Sequence, residues 1–283
     1  MIDVLFIVPN NSKNIYQGLS SKYSAIETPT WALLLAESCR SKNFSVDILD
    51  TNAEQLDDEN SFEKIKALNP KLILFVVYGQ NVNAGTTNMS GTVRLAKYLK
   101  SKHLKIPISI VGSHVQALPL ETLKKETSID FVFTNEGVYA LHNLLKTNLK
   151  ISDLKNIKGI AYRNGTEIEI NNPEKIVPQD RLDYDLPGYA WDLLPYKNKP
   201  FDLYRSPLWH AEYKEEFRSP YAAIQTSLGC MFGCDFCMIN IINRDDNKEI
   251  GVASDYSKMR YWSTEFIIKE FEKLISYGVK TIK

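Results

Sequence analysis

No apolar run in this sequence approaches the roughly 18 residues that a bilayer-spanning helix needs. Net charge is also absent: 34 basic residues balance 34 acidic ones, so no long-range field draws the chain to nucleic acid or to an anionic membrane surface. The amino terminus, MIDVLFIVPNN, lacks the basic flank and small-residue cleavage site of a signal peptide, and a cytoplasmic location is expected. Histidine is scarce, the first being His103, and there are only four cysteines. So few thiols in a reducing compartment argue against a disulfide framework and for metal or redox chemistry wherever they cluster. No low-complexity tract or internal repeat is present. What remains, 44% hydrophobic and 24% charged over 283 residues, is ample for a packed core and suits two domains better than one.

Short continuous apolar runs at Val4–Val8, Leu72–Val77 and Ile108–Val111 are rich in β-branched residues, the pattern of parallel strands covered on both faces. Val46–Leu49 and Ile129–Phe133 read as two more. Helical periods alternate with them: Thr28 is placed to cap a helix with Pro29 in its first turn and Trp31, Leu34, Leu35 and Cys39 on one face. Phe62–Leu68, Val93–Leu99 and Val138–Leu145 supply others. The expectation over residues 1–150 is a doubly wound, flavodoxin-like (Rossmann-like) α/β domain with its ligand site at the carboxyl ends of the strands. Residues 151–217 read as a connector. It opens with a small hairpin, GIAYRNGTEIEI, whose Asn164-Gly165 pair predicts a type I′ turn, and continues through a proline-rich stretch whose Tyr189, Trp191, Tyr196 and Trp209 are domain-packing residues. From 218 to 283 a new strand at Tyr221–Thr226 leads into a cysteine loop, and Ser263 caps a helix that turns Ile267, Phe271 and Leu274 inward until Gly278 ends it.

The cysteine loop carries the chemistry. Cys230, Cys234 and Cys237 have the spacing C-x3-C-x2-C directly after a strand, and Gly229 and Gly233 allow the tight bends that bring three thiolates to one point. Three soft ligands select zinc or an iron–sulfur cluster. Structural zinc takes four protein ligands, and the fourth would have to be Cys39 or His210 from elsewhere. A cubane held by three cysteines leaves one iron open to a substrate or cofactor. Cys39 itself reads as inert core.

The segment GCMFGCDFC, with Phe236 before the last cysteine, resembles the C-x3-C-x-Φ-C signature of radical S-adenosylmethionine (radical SAM) enzymes. IVGSHVQALPLETL, IDFVFTNEG and DYDLPGYAWDLLP resemble the class B-like subgroup that places a cobalamin-binding domain before the radical SAM partial TIM barrel. The resemblance implies a [4Fe–4S] cluster on Cys230, Cys234 and Cys237 whose open iron chelates SAM, reductive cleavage to a 5′-deoxyadenosyl radical, and hydrogen abstraction from a substrate. In several such proteins methylcobalamin then supplies a methyl group. It also implies that the Phe236 backbone touches the adenine, and that Thr86, Thr87, Gly112, Ser113, His114, Glu136 and Gly137 face the cobalamin. Among these, His114 reads equally as a hydrogen-bonding loop residue, Glu136 and Gly137 as the start of a helix, and Thr86 and Thr87, with Ser90, as a plain helix entry.

The sequence departs from the subgroup's pattern in two places. Many cobalamin-binding domains carry D-x-H-x-x-G after the first strand, with the histidine as lower cobalt ligand; here the loop is PNNSKNIYQG, so bound cobalamin is expected base-off with no histidine from that loop. The barrel strands that would complete the SAM and substrate sites are also expected to lie beyond Lys283, leaving the radical SAM domain incomplete and its catalytic residues unnamed. The expected partners are an unidentified small-molecule substrate and an external electron donor. The competing expectation is a non-catalytic zinc or iron–sulfur module attached to a flavodoxin-like domain.

Overall fold

The computed structural model describes residues 2–19, 24–79, 84–195, 203–205, 220–242 and 259–283. The apolar runs form β1 (Val4–Val8), β2 (Val46–Asp50), β3 (Leu72–Val77), β4 (Ile108–Gly112) and β5 (Phe131–Phe133), all parallel, in the order β2-β1-β3-β4-β5. Alternation along each strand feeds two cores. Val4, Phe6 and Leu74 pack under the helices Thr30–Arg40 and Val138–Leu145, while Leu5, Ile7, Ile73 and Phe75 pack under Asp58–Leu68 and Gly85–Ser101. Burial on both faces is why these strands read as unbroken hydrophobic runs. Strand order reverses between β1 and β3, the topological point at which such sheets leave a crevice at their carboxyl edge.

The hairpin is part of this sheet. β6 (Ile160–Asn164) pairs antiparallel with β5, and β7 (Glu167–Ile170) with β6, giving seven strands. Its turn differs from the expected type. Asn164 stays in the ladder opposite Glu167, which puts Gly165 (φ +62°) at the first central position and Thr166, with negative φ, at the second. Only the glycine is left-handed, as in a type II′ arrangement.

A second correction concerns Thr28. The helix Thr30–Arg40 starts at Pro29 with no side-chain cap, and the Thr28 hydroxyl instead donates to the Ala223 carbonyl and accepts from the Ala223 N–H, both at 2.8 Å. This side chain ties the entry of that helix to the downstream segment. That segment opens with β8 (Tyr221–Ala222), shorter than the expected Tyr221–Thr226, although Ile224 N–H still donates to the Lys283 carbonyl at 3.0 Å. β8 lies parallel to β11 (Thr281–Ile282), with the helix Thr264–Ser276 between them in sequence, so the three elements make a parallel βαβ unit. Between β8 and that helix, β9 (Ser227–Leu228) pairs antiparallel with β10 (Arg260–Tyr261).

Ser263 caps the helix as expected, its hydroxyl accepting from Phe266 N–H at 3.2 Å. The helix's buried line is Phe266, Glu270 and Leu274, with Ile267 and Phe271 at its margin. Glu270 is fully buried because Oε2 accepts from Trp191 Nε1 at 2.8 Å and Oε1 from Lys273 Nζ at 2.7 Å. Tyr189 stacks on Trp191 and Trp262 on Phe266, with centroids 4.9 and 5.3 Å apart, so connector and downstream segment share one aromatic core. Tyr196 and Trp209 lie outside the described residues. Cys39 is in the core, where burial pushes its thiol pKa far up. No helix among the described residues is long and apolar enough to cross a membrane.

Candidate functional site

A cleft of about 620 Å³ opens at the carboxyl ends of β1 and β3. Val8 and Pro9 leave β1 into it, Val76 and Tyr78 leave β3, and Trp31 enters from the start of the first long helix. Trp31 meets Tyr78 edge-on, centroids 6.0 Å apart, and its Nε1 donates to the Glu136 carbonyl at 3.2 Å. The opposite wall comes from the downstream segment: Leu228 and Gly229 before the cysteine loop, Ile239 and Ile242 after it, and Arg260 from β10.

At the foot of the cleft the two walls are joined. Arg260 donates to Glu136 Oε2 at 2.9 Å and to the Val177 carbonyl at 2.5 Å, while Glu136 Oε1 accepts the Val177 N–H at 2.5 Å. Both side chains are nearly sealed from solvent, at 2% and 4% exposure. Gln116, from the short helix Ser113–Ala117 after β4, donates through Nε2 to the Tyr78 hydroxyl at 2.9 Å and to the Asn135 carbonyl at 2.5 Å. Because a carbonyl oxygen can only accept, the amide orientation is fixed, with Oε1 facing away from these partners.

The residues expected around cobalamin divide on this map. Thr87 and Glu136 line the cleft. Thr86 is exposed nearby, its hydroxyl 3.0 Å from His114 Nδ1. His114 is half-buried and outside the lining; burial, with Lys125 next, lowers its pKa and favours the neutral ring. Gly112 and Ser113 are buried behind the wall, where a Cβ on Gly112 would stand 2.1 Å from the Val77 carbonyl oxygen. The residue type at Gly112 is set by close packing between β3 and β4, whereas Ser113 Oγ lies against Gly85, where it leaves no room for a Cβ. Gly137, at φ +84°, starts the helix Val138–Leu145, and its N–H donates to Asn135 Oδ1 at 3.0 Å.

Cys230, Cys234 and Cys237 follow Gly229 on a partly to fully exposed loop. Gly229 takes φ +87°, the left-handed bend a tight loop entry requires, whereas Gly233 keeps an ordinary φ. Cys237 N–H donates to the Cys234 carbonyl at 3.0 Å, and Phe232 N–H to Cys230 Sγ at 3.4 Å. Phe236 is 81% exposed. Among the described residues no three His, Cys, Asp or Glu side chains are gathered in metal-ligand geometry, so the three thiols share one loop without meeting at a point. Sequence reasoning did not single out Trp31, Tyr78, Gln116 or Arg260 as site residues; only the topological switch point, which predicts where a crevice opens, pointed toward the first three.

Residues 17–145 match the B12 binding domain family. An uncharacterized methyltransferase of Pyrococcus horikoshii, PH0819, is 26% identical over 256 residues, 90% of this chain and 48% of that one. The cobalamin-dependent radical SAM methyltransferase TokK of Streptomyces tokunonensis is 27% identical over 53% of this chain and 20% of its own length. The solved structure of the cobalamin-dependent SAM radical enzyme OxsB, with aqua-cobalamin and SAM bound, superposes with TM-score 0.63 at 15% identity, covering 98% of this chain and 32% of that one. That of the radical SAM methyltransferase TsrM of Kitasatospora setae superposes with TM-score 0.62 at 16% identity, covering 99% and 46%. This chain thus spans about half or less of the length of these relatives. Its fold over nearly its whole length is theirs, residues 17–145 match the B12 binding domain family, and the chain is similar in sequence to cobalamin-dependent radical SAM proteins over part of its length.

Proposed function

We propose that this chain is the cofactor-holding part of a cobalamin-dependent radical SAM enzyme, with cobalamin in the cleft and a [4Fe–4S] cluster on Cys230, Cys234 and Cys237. One observation carries the reading: the crevice at the carboxyl edge of the B12 binding domain is closed by the two flanks of the three-cysteine loop. The cleft residues fit a corrin, whose rim is dense in carboxamides. Asn52 Oδ1, Gln116 Oε1 and Arg260 Nε, on three residues of its wall, are buried polar atoms without a hydrogen-bond partner among the described residues. Two acceptors and a donor complement carboxamides, which offer both. The loop after β1, PNNSKNIYQG, contains no histidine, which supports cobalamin held base-off with no histidine ligand from that loop.

The donor set of the loop fits an iron–sulfur cluster: three soft thiolates, a glycine-bent entry at Gly229, and a backbone N–H already directed at Cys230 Sγ, the kind of hydrogen bond that tunes cluster potential. When bound, the cluster supplies the electron for reductive SAM cleavage and leaves one iron for SAM, and cobalamin supplies a transferable methyl group. The chain's own part is to hold the two groups on facing walls of one cleft, with Trp31, Tyr78 and Leu228 excluding water between them. We read the product as a methylated small molecule, the electron donor as external, and the location as cytoplasmic. In this reading Thr86, Thr87 and His114 stand on the rim near the cofactor, and the Phe236 backbone serves SAM.

Anaerobic reconstitution tests the cluster. About four irons per chain and a reduced EPR signal that SAM perturbs are expected. Cys230→Ala, Cys234→Ala and Cys237→Ala should each abolish both, and Cys39→Ala neither. Stoichiometric zinc with no iron would favour the metal-module reading and overturn this one.

A further inference from the structure

We infer that filling the cleft gathers the three cysteines, so that the cleft ligand and the metal at the loop bind with positive cooperativity. This rests on the cleft being the cobalamin site. The loop from Cys230 to Cys237 is flanked on both sides by cleft wall: Leu228 and Gly229 before it, Ile239 and Ile242 after it. Its far flank, the short helix Ile239–Ile242, packs against Ser113–Ala117 of the first domain. The thiols do not meet in the structure, so metal binding requires the loop to draw in. A ligand wedged between the walls restricts both ends of that loop at once, and the ordering it imposes need not be supplied again when metal binds.

The tie that turns this restriction into coupling is the Glu136–Arg260 pair. Arg260 lies opposite Leu228 in the β9–β10 pairing, two residues before Cys230. β10 is fixed to the connector by Arg260 on Val177 and by two bonds between Tyr261 and Gln179, at 2.7 and 2.8 Å. The approach to the cysteine loop is thereby referenced to the same carboxylate, Glu136, that sits in the first domain's wall. Glu136 and Arg260 act here as positioning residues.

Calorimetric titration of Zn²⁺ into the reduced, iron-free chain, with and without saturating cyanocobalamin, tests the inference. The cyanide keeps the cobalt from taking a thiolate itself. Coupling should make Zn²⁺ bind about tenfold more tightly when the cleft is filled, and cyanocobalamin should gain the same factor from Zn²⁺. Simple steric cover of the loop would do the opposite and weaken Zn²⁺ binding. Gln179→Ala, which releases Tyr261 of β10 from the connector without changing the cleft lining, should bind each ligand alone yet bring the factor closer to one. Equal or weaker Zn²⁺ affinity in the cyanocobalamin-loaded native chain overturns the inference while leaving the cofactor reading intact. Failure of the native chain to bind cyanocobalamin at all overturns both.

Discussion

Replacing Glu136 by Gln keeps the shape of the foot of the cleft and removes one charge. Arg260 would then hold its guanidinium at 2% exposure with no counter-charge, since its remaining described partner is the neutral Val177 carbonyl. An uncompensated buried charge costs about 3–5 kcal/mol, far more than the roughly 1 kcal/mol of an ordinary hydrogen bond. For a chain of this size about 3 kcal/mol corresponds to a fall of roughly 6–12 °C in the unfolding midpoint. The paired change Glu136→Gln with Arg260→Met should regain most of the loss, because it removes the stranded charge and keeps the volume apolar. Thermal and urea unfolding of the two single variants and the double variant, followed by circular dichroism, would form a cycle with a coupling energy of about 2 kcal/mol or more. A single Glu136→Gln variant within about 0.5 kcal/mol of the native chain would refute the argument, since that is the range of an exposed pair.

The pH dependence of stability offers a further test, with two buried groups acting in opposite directions. Burial raises the Asp50 carboxyl from 3.8 to about 6, so its contribution is present below pH 4 and lost as pH rises through 6; Asp50→Asn should be the more stable protein at pH 7–8, by about 2–3 kcal/mol, and equal to it near pH 4. Burial, with Lys42 second, lowers His142 from 6.5 to about 4, so that contribution is present above 6.5 and lost on acidification; His142→Gln should gain relative to the native chain between pH 7 and pH 4. Parallel slopes for the two variants in urea titrations would contradict both assignments. Trp191→Phe keeps a stacked ring on Tyr189 but strips Glu270 Oε2 of its donor, and a loss of about 1–3 kcal/mol is expected in the same assay, partly recovered by adding Glu270→Gln.

The first domain was legible because its strands are buried on both faces, and hydrophobic runs of that kind have few other uses. Their bounds at Val4–Val8 and Leu72–Val77 carry over unchanged, and the Ser263 cap is local chemistry that needs no tertiary partner. The misreadings came where a distant residue competes for a local one. Thr28 has the sequence of a cap, but Ala223, 195 positions away, takes its hydroxyl. Asn164-Gly165 has the sequence of a type I′ turn, but pairing with Glu167 holds Asn164 in the strand. Ile267 and Phe271 read as inward residues of the last helix, but Trp191 draws Glu270 into the core and leaves them at its margin. The site follows the same rule. Three cysteines on one loop announce themselves, whereas Arg260 and Gln116 are ordinary residues until folding sets them around one cleft.

The central claim is that the cleft holds cobalamin base-off, with no histidine ligand from the loop after β1. It is tested most directly by loading the chain with cobalamin, removing free cofactor by gel filtration, reducing to cobalt(II) and recording the EPR spectrum. The account predicts about one cobalamin per chain and a base-off signal whose cobalt lines carry no nitrogen splitting. A nitrogen triplet on those lines, or a chain that emerges from the column without cobalamin, would contradict it.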